Sequence, residues 1–151
     1  MEYDISEIVT HGEWVLAPGA TLRVFSVVDD SRQAGPGALF MAIRGERTDG
    51  HRFVTGAARV GASAVCVERP PSADELAMLG RLGCGVLRVA NTLNAYHELA
   101  RAHRRRMRRC TVVGVTGSAG KTSVKEMLAA VCRQAAPERV LATEGNTNNH
   151  F

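Results

Sequence analysis

Aromatic residues are scarce in this sequence, at 5% of 151 residues. A surface that binds single-stranded nucleic acid stacks bases on aromatic side chains, so their scarcity argues against that function. No apolar run approaches the roughly 18 residues of a membrane span, and the first residues lack the basic and then apolar order of a signal peptide. We therefore expect a cytoplasmic protein with no membrane partner.

Cysteine is also sparse, and its spacing follows no pattern. The four cysteines are Cys66, Cys84, Cys110 and Cys132. They form no C-x-x-C pair and show no metal-ligand spacing, which argues against a zinc site and against a disulfide framework. We expect reduced thiols, with Cys66 and Cys84 in the core because their sequence neighbours are apolar.

Positive charge is in excess, with a formal net charge of +4, and much of it lies in one segment. Six arginines fall between residues 101 and 109, namely Arg101, Arg104, Arg105, Arg106, Arg108 and Arg109. Such a run either contacts nucleic-acid phosphates or forms the solvated end of a helix, where cations complement the C-terminal dipole. Because no aromatic residues interleave with them, we favour the helix end and expect no nucleic-acid partner.

The pattern of apolar residues alternates between strand-like and helix-like segments. The predicted strands are residues 23–28, 38–43, 62–67 and 85–89. The predicted helices are residues 5–11, a helix over 53–60 ended by Gly61, one from Ser72 with Glu75 completing a capping box, and one from the N-cap Thr92 into the arginines. This alternation predicts an α/β fold.

The composition changes near residue 109, where we place a domain boundary. Residues 1–109 form one predicted domain, and residues 110–151 form the beginning of a second. The second contains a predicted strand over 111–115, a helix from 121 to about 134, and another strand over 140–143. About forty residues are too few to bury an independent core, so this second domain is expected to be incomplete.

A glycine loop lies between the strand and the helix of this second domain. It consists of Thr116, Gly117, Ser118, Ala119, Gly120, Lys121, Thr122 and Ser123. Loop N–H groups and a helix N-terminus suit phosphate, Lys121 suits the β- and γ-phosphates of ATP, and the hydroxyl of Thr122 suits Mg²⁺. The strict phosphate-loop pattern has glycine where this chain has Val115. The alternative is a Gly/Ser turn that opens a helix by chance.

The irregular spacing of this loop resembles that of the Mur ligase family, which also includes folylpolyglutamate synthetases. Further segments that resemble the family are Asp30-Ser31-Arg32, Asp49-Gly50-His51, Val89-x-Asn91, Val124-Lys125-Glu126-Met127 and residues 142–149. Position 91 departs from the family, which more often has aspartate there. The resemblance implies an N-terminal substrate-binding domain followed by the start of a P-loop, Rossmann-like ATPase domain.

The resemblance also implies a reaction and its participants. A monomeric ligase would use ATP and Mg²⁺ to join D-alanyl-D-alanine to UDP-N-acetylmuramoyl-tripeptide through an acyl phosphate, with Lys121 as the catalytic residue. The implied substrate-binding residues are Ser31, Arg32, Gly45, Asp49, Gly50, His51, Asn146, Asn148 and Asn149. Because the second domain is incomplete, the chain alone is expected to be inactive.

Four alternatives to these assignments stay open at the level of sequence. Ser31 and Arg32 are also consistent with a helix-capping serine and a surface arginine. The segment Asp49-Gly50-His51 is also consistent with a simple turn. Another ligase of the same superfamily, such as a folylpolyglutamate synthetase, shares the phosphate loop. A non-catalytic nucleotide- or nucleic-acid-binding module would use the arginine cluster instead.

Overall fold

The structure is a computed structural model that describes residues 5, 11–18, 24–45 and 48–143. The protein divides into two compact units, Met1–Arg108 and Arg109–Phe151. Most of the helix predicted over residues 5–11 lies outside the described residues, as do Asn146, Asn148 and Asn149. Within the described part of the chain, the helices are too short or too polar to cross a bilayer.

The first unit is built on a five-stranded sheet with the order β1-β5-β4-β3-β2. The strands are β1 (Glu13–Leu16), β2 (Ser26–Val28), β3 (Ala38–Met41), β4 (Ala64–Val67) and β5 (Gly85–Arg88). Strands β2 to β5 run parallel, and β1 lies antiparallel to β5 at one edge. The four predicted strands are confirmed, whereas β1 was missed, because it is a short segment that depends on its pairing with the distant β5.

Helices cover both faces of this sheet, which is why β3 and β4 are buried along their whole length. The helices of the first unit are α1 (Val54–Val60), α2 (Ala73–Arg81) and α3 (Thr92–Arg106). Because side chains alternate along a strand, Leu39 and Met41 pack with α3, while Phe40 packs with α1 and α2 on the other face. The predicted α/β layering is confirmed.

Two of the predicted helix ends are confirmed, and one is wrong. Gly61 ends α1 with a φ of 117°, a conformation that favours glycine. The capping box of α2 is formed, because Glu75 accepts a hydrogen bond from the Ser72 N–H at 2.8 Å. The N-cap of α3 is Asn91 rather than Thr92, since the Asn91 side chain accepts from the Asn94 N–H at 2.8 Å. Thr92 is instead fully buried.

The predicted states of the cysteines and of the arginine run agree with the structure. Cys66 and Cys84 are free and buried, and burial raises the pKa of Cys66 to about 12 and that of Cys84 to about 11. Neither thiol ionises appreciably at neutral pH, so both are unreactive core residues. The last turn of α3 contains Arg104, Arg105 and Arg106, which are exposed where cations complement the helix dipole.

The second unit contains helix α4 (Lys121–Ala135), which confirms the predicted helix. The strands predicted over 111–115 and 140–143 are wrong, since neither segment is a strand among the described residues. A strand exists only where a neighbouring strand accepts and donates its backbone hydrogen bonds, and apolar sequence does not supply that neighbour. Val112 and Val113 accordingly remain 62% exposed each.

Candidate functional site

Parallel strands bring the segments that follow them to one edge of the sheet. The carboxyl ends of β2, β3, β4 and β5 lie at the same edge, because all four strands run in one direction. In open α/β sheets this edge is where ligands bind. The structure therefore gathers Ser31, Arg32 and the Asp49–His51 loop, which the sequence predicted as site residues, at one edge of the first unit.

The segment after β2 is a single turn of 3₁₀ helix, Ser31–Gln33, with Asp30 as its N-cap. The Asp30 carboxylate accepts the Arg32 backbone N–H at 3.0 Å and is paired with the guanidinium through Nε at 2.9 Å and Nη2 at 2.7 Å. The hydrogen bonds from the Arg32 side chain are the main reason that the pKa of Asp30 falls to about 2. Arg32 is thereby held in place while its side chain stays 87% exposed.

The loop after β3 is closed by contacts between Asp49 and His51. Asp49 Oδ1 accepts the His51 backbone N–H at 3.0 Å and lies 2.7 Å from His51 Nδ1. His51 Nε2 accepts the backbone N–H of Glu68 at 2.9 Å, which assigns the ring proton to Nδ1. The imidazole therefore fastens this loop to the end of β4.

Two glycines shape the same loop in different ways. A Cβ at Gly50 would lie 2.7 Å from the carbonyl oxygen of Ile43 and 2.8 Å from two further backbone atoms, so no other residue fits there without backbone movement. Gly45 donates its N–H to the carbonyl oxygen of Thr48 at 3.0 Å. The atom nearest to a Cβ at Gly45 would be the Thr48 carbonyl oxygen at 3.5 Å, which is an ordinary van der Waals contact. Gly50 is thus sterically required, whereas Gly45 is not.

Glu68 and Thr92 complete the network at this edge, and sequence reasoning missed them. Glu68 Oε1 accepts the Thr92 N–H at 2.9 Å and lies 3.0 Å from the Thr92 hydroxyl. The hydroxyl also lies 3.3 Å from the carbonyl oxygen of Ala42, which follows β3. A glutamate directly after a buried strand was the signal available in the sequence. Through these contacts the ends of β3, β4 and β5 are joined.

Replacing Asp49 with asparagine is expected to lower the free energy of unfolding by about 1–2 kcal/mol at neutral pH, because hydrogen bonds from His51 and the nearby Arg69 stabilise the carboxylate. Those hydrogen bonds, with the His51 backbone contact the largest cause, hold the pKa of Asp49 below its usual value of 3.8. A lowered folded-state pKa stabilises the fold above the unfolded-state value, and that contribution disappears as the pH falls through the folded-state value.

The difference between the wild type and Asp49→Asn should therefore be complete near pH 6 and disappear as the pH falls through the lowered pKa of Asp49, which lies below 3.8. Urea unfolding of both proteins between pH 7 and pH 2 measures it. A difference that stays constant over this range would show that the ionised carboxylate is not what Asp49 contributes.

The glycine loop of the second unit has the geometry of an anion site. Gly117 and Gly120 have φ values of 154° and 75°, and α4 begins directly after Gly120. No side chain caps α4, so the N–H groups of its first turn are available to a phosphate. Lys121 Nζ donates to the carbonyl oxygen of Gly117 at 2.6 Å, which folds the ammonium group across the loop.

The remaining loop residues are exposed around that anion site. They are Thr116, Ser118, Ala119, Thr122 and Ser123. Thr122 lies in the first turn of α4 next to Lys121, so the site has a hydroxyl for a hard cation beside donors for phosphate. No group of three or more His, Cys, Asp or Glu side chains forms a metal site anywhere in the described ranges.

Two models of known protein families match this chain. Residues 26–116 match the family described as "Mur ligase family, catalytic domain", and residues 115–151 match "Mur ligase middle domain". The chain is 41% identical over 131 residues to the UDP-N-acetylmuramoyl-tripeptide–D-alanyl-D-alanine ligase of Escherichia coli, covering 87% of this chain and 26% of that protein. It is also 43% identical over 107 residues to a UDP-N-acetylmuramyl-tripeptide synthetase of Roseiflexus, covering 70% of this chain and 20% of that protein.

Two solved structures of MurF are also similar to this chain. MurF from Acinetobacter baumannii matches with a TM-score of 0.72 and 30% identity, over 89% of this chain and 28% of that one. MurF ligase from Thermotoga maritima, in complex with ADP, matches with a TM-score of 0.59 and 33% identity, over 72% of this chain and 23% of that one. The chain thus spans about a quarter of the length of these relatives.

Proposed function

Because the chain belongs to the Mur ligase family, we propose that it takes part in the ATP-dependent ligation of D-alanyl-D-alanine to UDP-N-acetylmuramoyl-tripeptide. The observation that carries the proposal is the uncapped start of α4 behind a glycine loop that holds Lys121 across it. The E. coli relative, named for this reaction, is similar over 87% of the chain. The protein is proposed to act as a monomer in the cytoplasm.

The two units are proposed to bind different ligands. Residues 1–109 would hold the UDP end of the acceptor substrate at the carboxyl edge of the sheet, where Ser31, Arg32 and the Asp49–His51 loop lie. Residues 110–151 would begin the ATP-binding domain, with phosphate held by residues 116–123. Asn146, Asn148 and Asn149 are proposed to contact substrate, as in the family motif that they resemble.

In the proposed chemistry, phosphorylation converts the terminal carboxylate of the tripeptide, which is a poor electrophile, into a reactive acyl phosphate. The terminal carboxylate of the tripeptide attacks the γ-phosphorus of ATP, ADP leaves, and an acyl phosphate forms. The amine of D-alanyl-D-alanine then attacks the carbonyl carbon, the C–O bond to phosphate breaks, and the amide forms with loss of a proton. Enzymes promote such transfers by positioning the groups and neutralising charge.

The residues of the glycine loop are suited to positioning the reacting groups and to neutralising their charge. Backbone N–H groups of the first turn of α4 would bind phosphate oxygens, and Lys121 would leave the Gly117 carbonyl to neutralise the γ-phosphate. The Thr122 hydroxyl would hold Mg²⁺, which when bound shields the charge between phosphate oxygens. The anchored Arg32 would meet the anionic part of the UDP group.

The second candidate is ligation of a different amine, because the Roseiflexus relative is named as a tripeptide synthetase and is 43% identical to this chain. The residues 142–149, which resemble the D-alanyl-D-alanine-adding branch, favour the first proposal. The test uses the full-length ligase in two reactions, one with the tripeptide substrate and D-alanyl-D-alanine, the other with the dipeptide substrate and single amino acids. The mass of the product distinguishes the two candidates.

The chain itself is expected to bind UDP-N-acetylmuramoyl-tripeptide and ADP at separate sites and to form no amide product alone. Isothermal titration with each ligand, in the presence and absence of the other, measures this. Failure to bind the UDP ligand would remove the role proposed for residues 1–109. Amide product at a rate near that of a full-length ligase would contradict the expected inactivity.

A further inference from the structure

We propose that Arg69 contacts the anionic group of the ligand at the carboxyl edge of the first unit, and that Asp49 and His51 position Arg69 instead of contacting ligand. Arg69 follows β4 directly after Glu68, and its Nη2 donates to Asp49 Oδ2 at 2.9 Å. The inference rests on the proposed binding of a UDP-containing substrate at this edge and names a residue for its diphosphate.

The polar atoms of Asp49 and His51 are already used within the protein. Asp49 Oδ1 contacts the backbone and the ring of His51, while Oδ2 contacts Arg69. The second ring nitrogen of His51 accepts the Glu68 N–H, and the His51 side chain is only 8% exposed. A ligand contact to the His51 ring would break a hydrogen bond that holds the loop to β4, and the Asp49 carboxylate, which only accepts hydrogen bonds, has nothing to donate to a phosphate oxygen.

The guanidinium of Arg69 is the group that this arrangement presents to solvent. Its side chain is 66% exposed, and its one hydrogen bond among the described residues is the contact with Asp49. Arginine has five N–H donors in a planar fork that matches phosphate oxygens. Because Asp49 already restrains the side chain, less conformational entropy is lost when a ligand binds.

A second arginine at the same edge is held in the same way. Arg32 is paired with Asp30 after β2, and its side chain is 87% exposed. One strand, β3, separates β2 from β4, so the two strand ends are about 10 Å apart. Two aspartate-held guanidinium groups thus flank the end of β3, an arrangement suited to an extended anion such as a diphosphate.

The start of α3 does not compete for that anion. Glu68 accepts the Thr92 N–H, and Asn91 accepts the Asn94 N–H, so protein oxygens already occupy two of the N–H groups of the first turn. A carboxylate at this helix end also offsets the positive dipole. The positive groups that remain for a ligand at this edge are therefore the arginines.

The test is titration of the purified chain with UDP and with uridine at 150 mM salt. Arg69→Gln is expected to weaken UDP binding about five- to thirtyfold and to leave uridine binding unchanged, because only UDP carries the anionic group. The UDP affinity of Arg69→Lys should lie between those of the wild type and Arg69→Gln, since an ammonium keeps the positive charge but lacks the planar set of donors of a guanidinium. Arg81→Gln, which removes an exposed arginine at the far end of α2, should bind UDP like the wild type.

The positioning role of Asp49 is tested by a double-mutant cycle. Asp49→Asn should weaken UDP binding less than Arg69→Gln does, and adding it to Arg69→Gln should cause little further loss. Equal losses for UDP and uridine in Arg69→Gln, or unchanged UDP binding, would overturn the role of Arg69 while leaving the proposed substrate site intact. A wild-type chain that binds neither UDP nor uridine would overturn the substrate site itself, and this inference with it.

Discussion

Replacing Lys121 with methionine is expected to lower the ligation rate of the full-length ligase by about a hundred- to a thousandfold. The ammonium group lies across the loop at 2.6 Å from the Gly117 carbonyl, at the start of a helix with no side-chain cap. Neutralising phosphate charge in a preorganised site contributes about this much to transfer rates. Methionine keeps much of the aliphatic length and removes the charge. ADP release and amide formation, measured on the same samples, record the loss.

The control for Lys121→Met is Arg133→Gln, which removes one positive charge from the other end of the same helix. Arg133 is exposed in the last turn of α4, away from the loop. We expect it to change the rate less than twofold, because exposed charges a Debye length apart are largely screened. A normal rate for Lys121→Met would remove the loop from the mechanism. Equal losses in both variants would indicate a general effect of charge on α4.

Gly50→Ala is expected to destabilise the first unit by about 2–4 kcal/mol. A Cβ there would lie 2.7 Å from the Ile43 carbonyl oxygen and 2.8 Å from the Ala42 carbonyl carbon. Both neighbours are backbone atoms at the end of a buried strand, so they cannot turn away as a flexible side chain would. The Gly50 N–H also donates to that Ile43 oxygen at 2.9 Å. Urea unfolding followed by circular dichroism gives the free energy of unfolding.

Gly56→Ala is the matched control for Gly50→Ala. Gly56 lies within α1, and a Cβ there meets nothing within 4 Å. Alanine inside a helix is favoured over glycine, so this variant should be about 0.5–1 kcal/mol more stable than the wild type. The two changes are chemically identical and lie close together in the sequence. If Gly50→Ala unfolds at the same urea concentration as the wild type, the loop is not packed against Ile43 as the structure shows.

Local patterns were sufficient for most of the first unit. The strands β3, β4 and β5 are short apolar runs bounded by turn residues, and α2 begins at a capping box, so each is encoded by neighbouring residues. β1 has no such pattern, because it packs against β5 from a distant part of the sequence. The segments at 111–115 and 140–143 have a strand-like pattern and no strand partner among the described residues.

The candidate site shows the same division between sequence and tertiary structure. The glycine loop is contiguous, and its conformation depends on Gly117, Gly120 and the start of α4, so neighbouring residues alone were sufficient to predict it. The edge network is not contiguous. Glu68 meets Thr92 across 24 positions, and Arg69 meets Asp49 across 20. No spacing rule predicts such pairs, because parallel strands bring them together only after the sheet has formed.

The sequence by itself thus determined the α/β class, the glycine loop with Lys121 that we propose binds phosphate, and the family that this loop resembles. The tertiary structure decided which polar groups at the sheet edge form hydrogen bonds within the protein and which stay exposed. His51 and Asp49 were predicted from sequence as substrate-binding residues, yet their polar atoms are engaged with the end of β4. The physical reason is that hydrogen-bond donors and acceptors are shared across the fold, and only the folded arrangement fixes their partners.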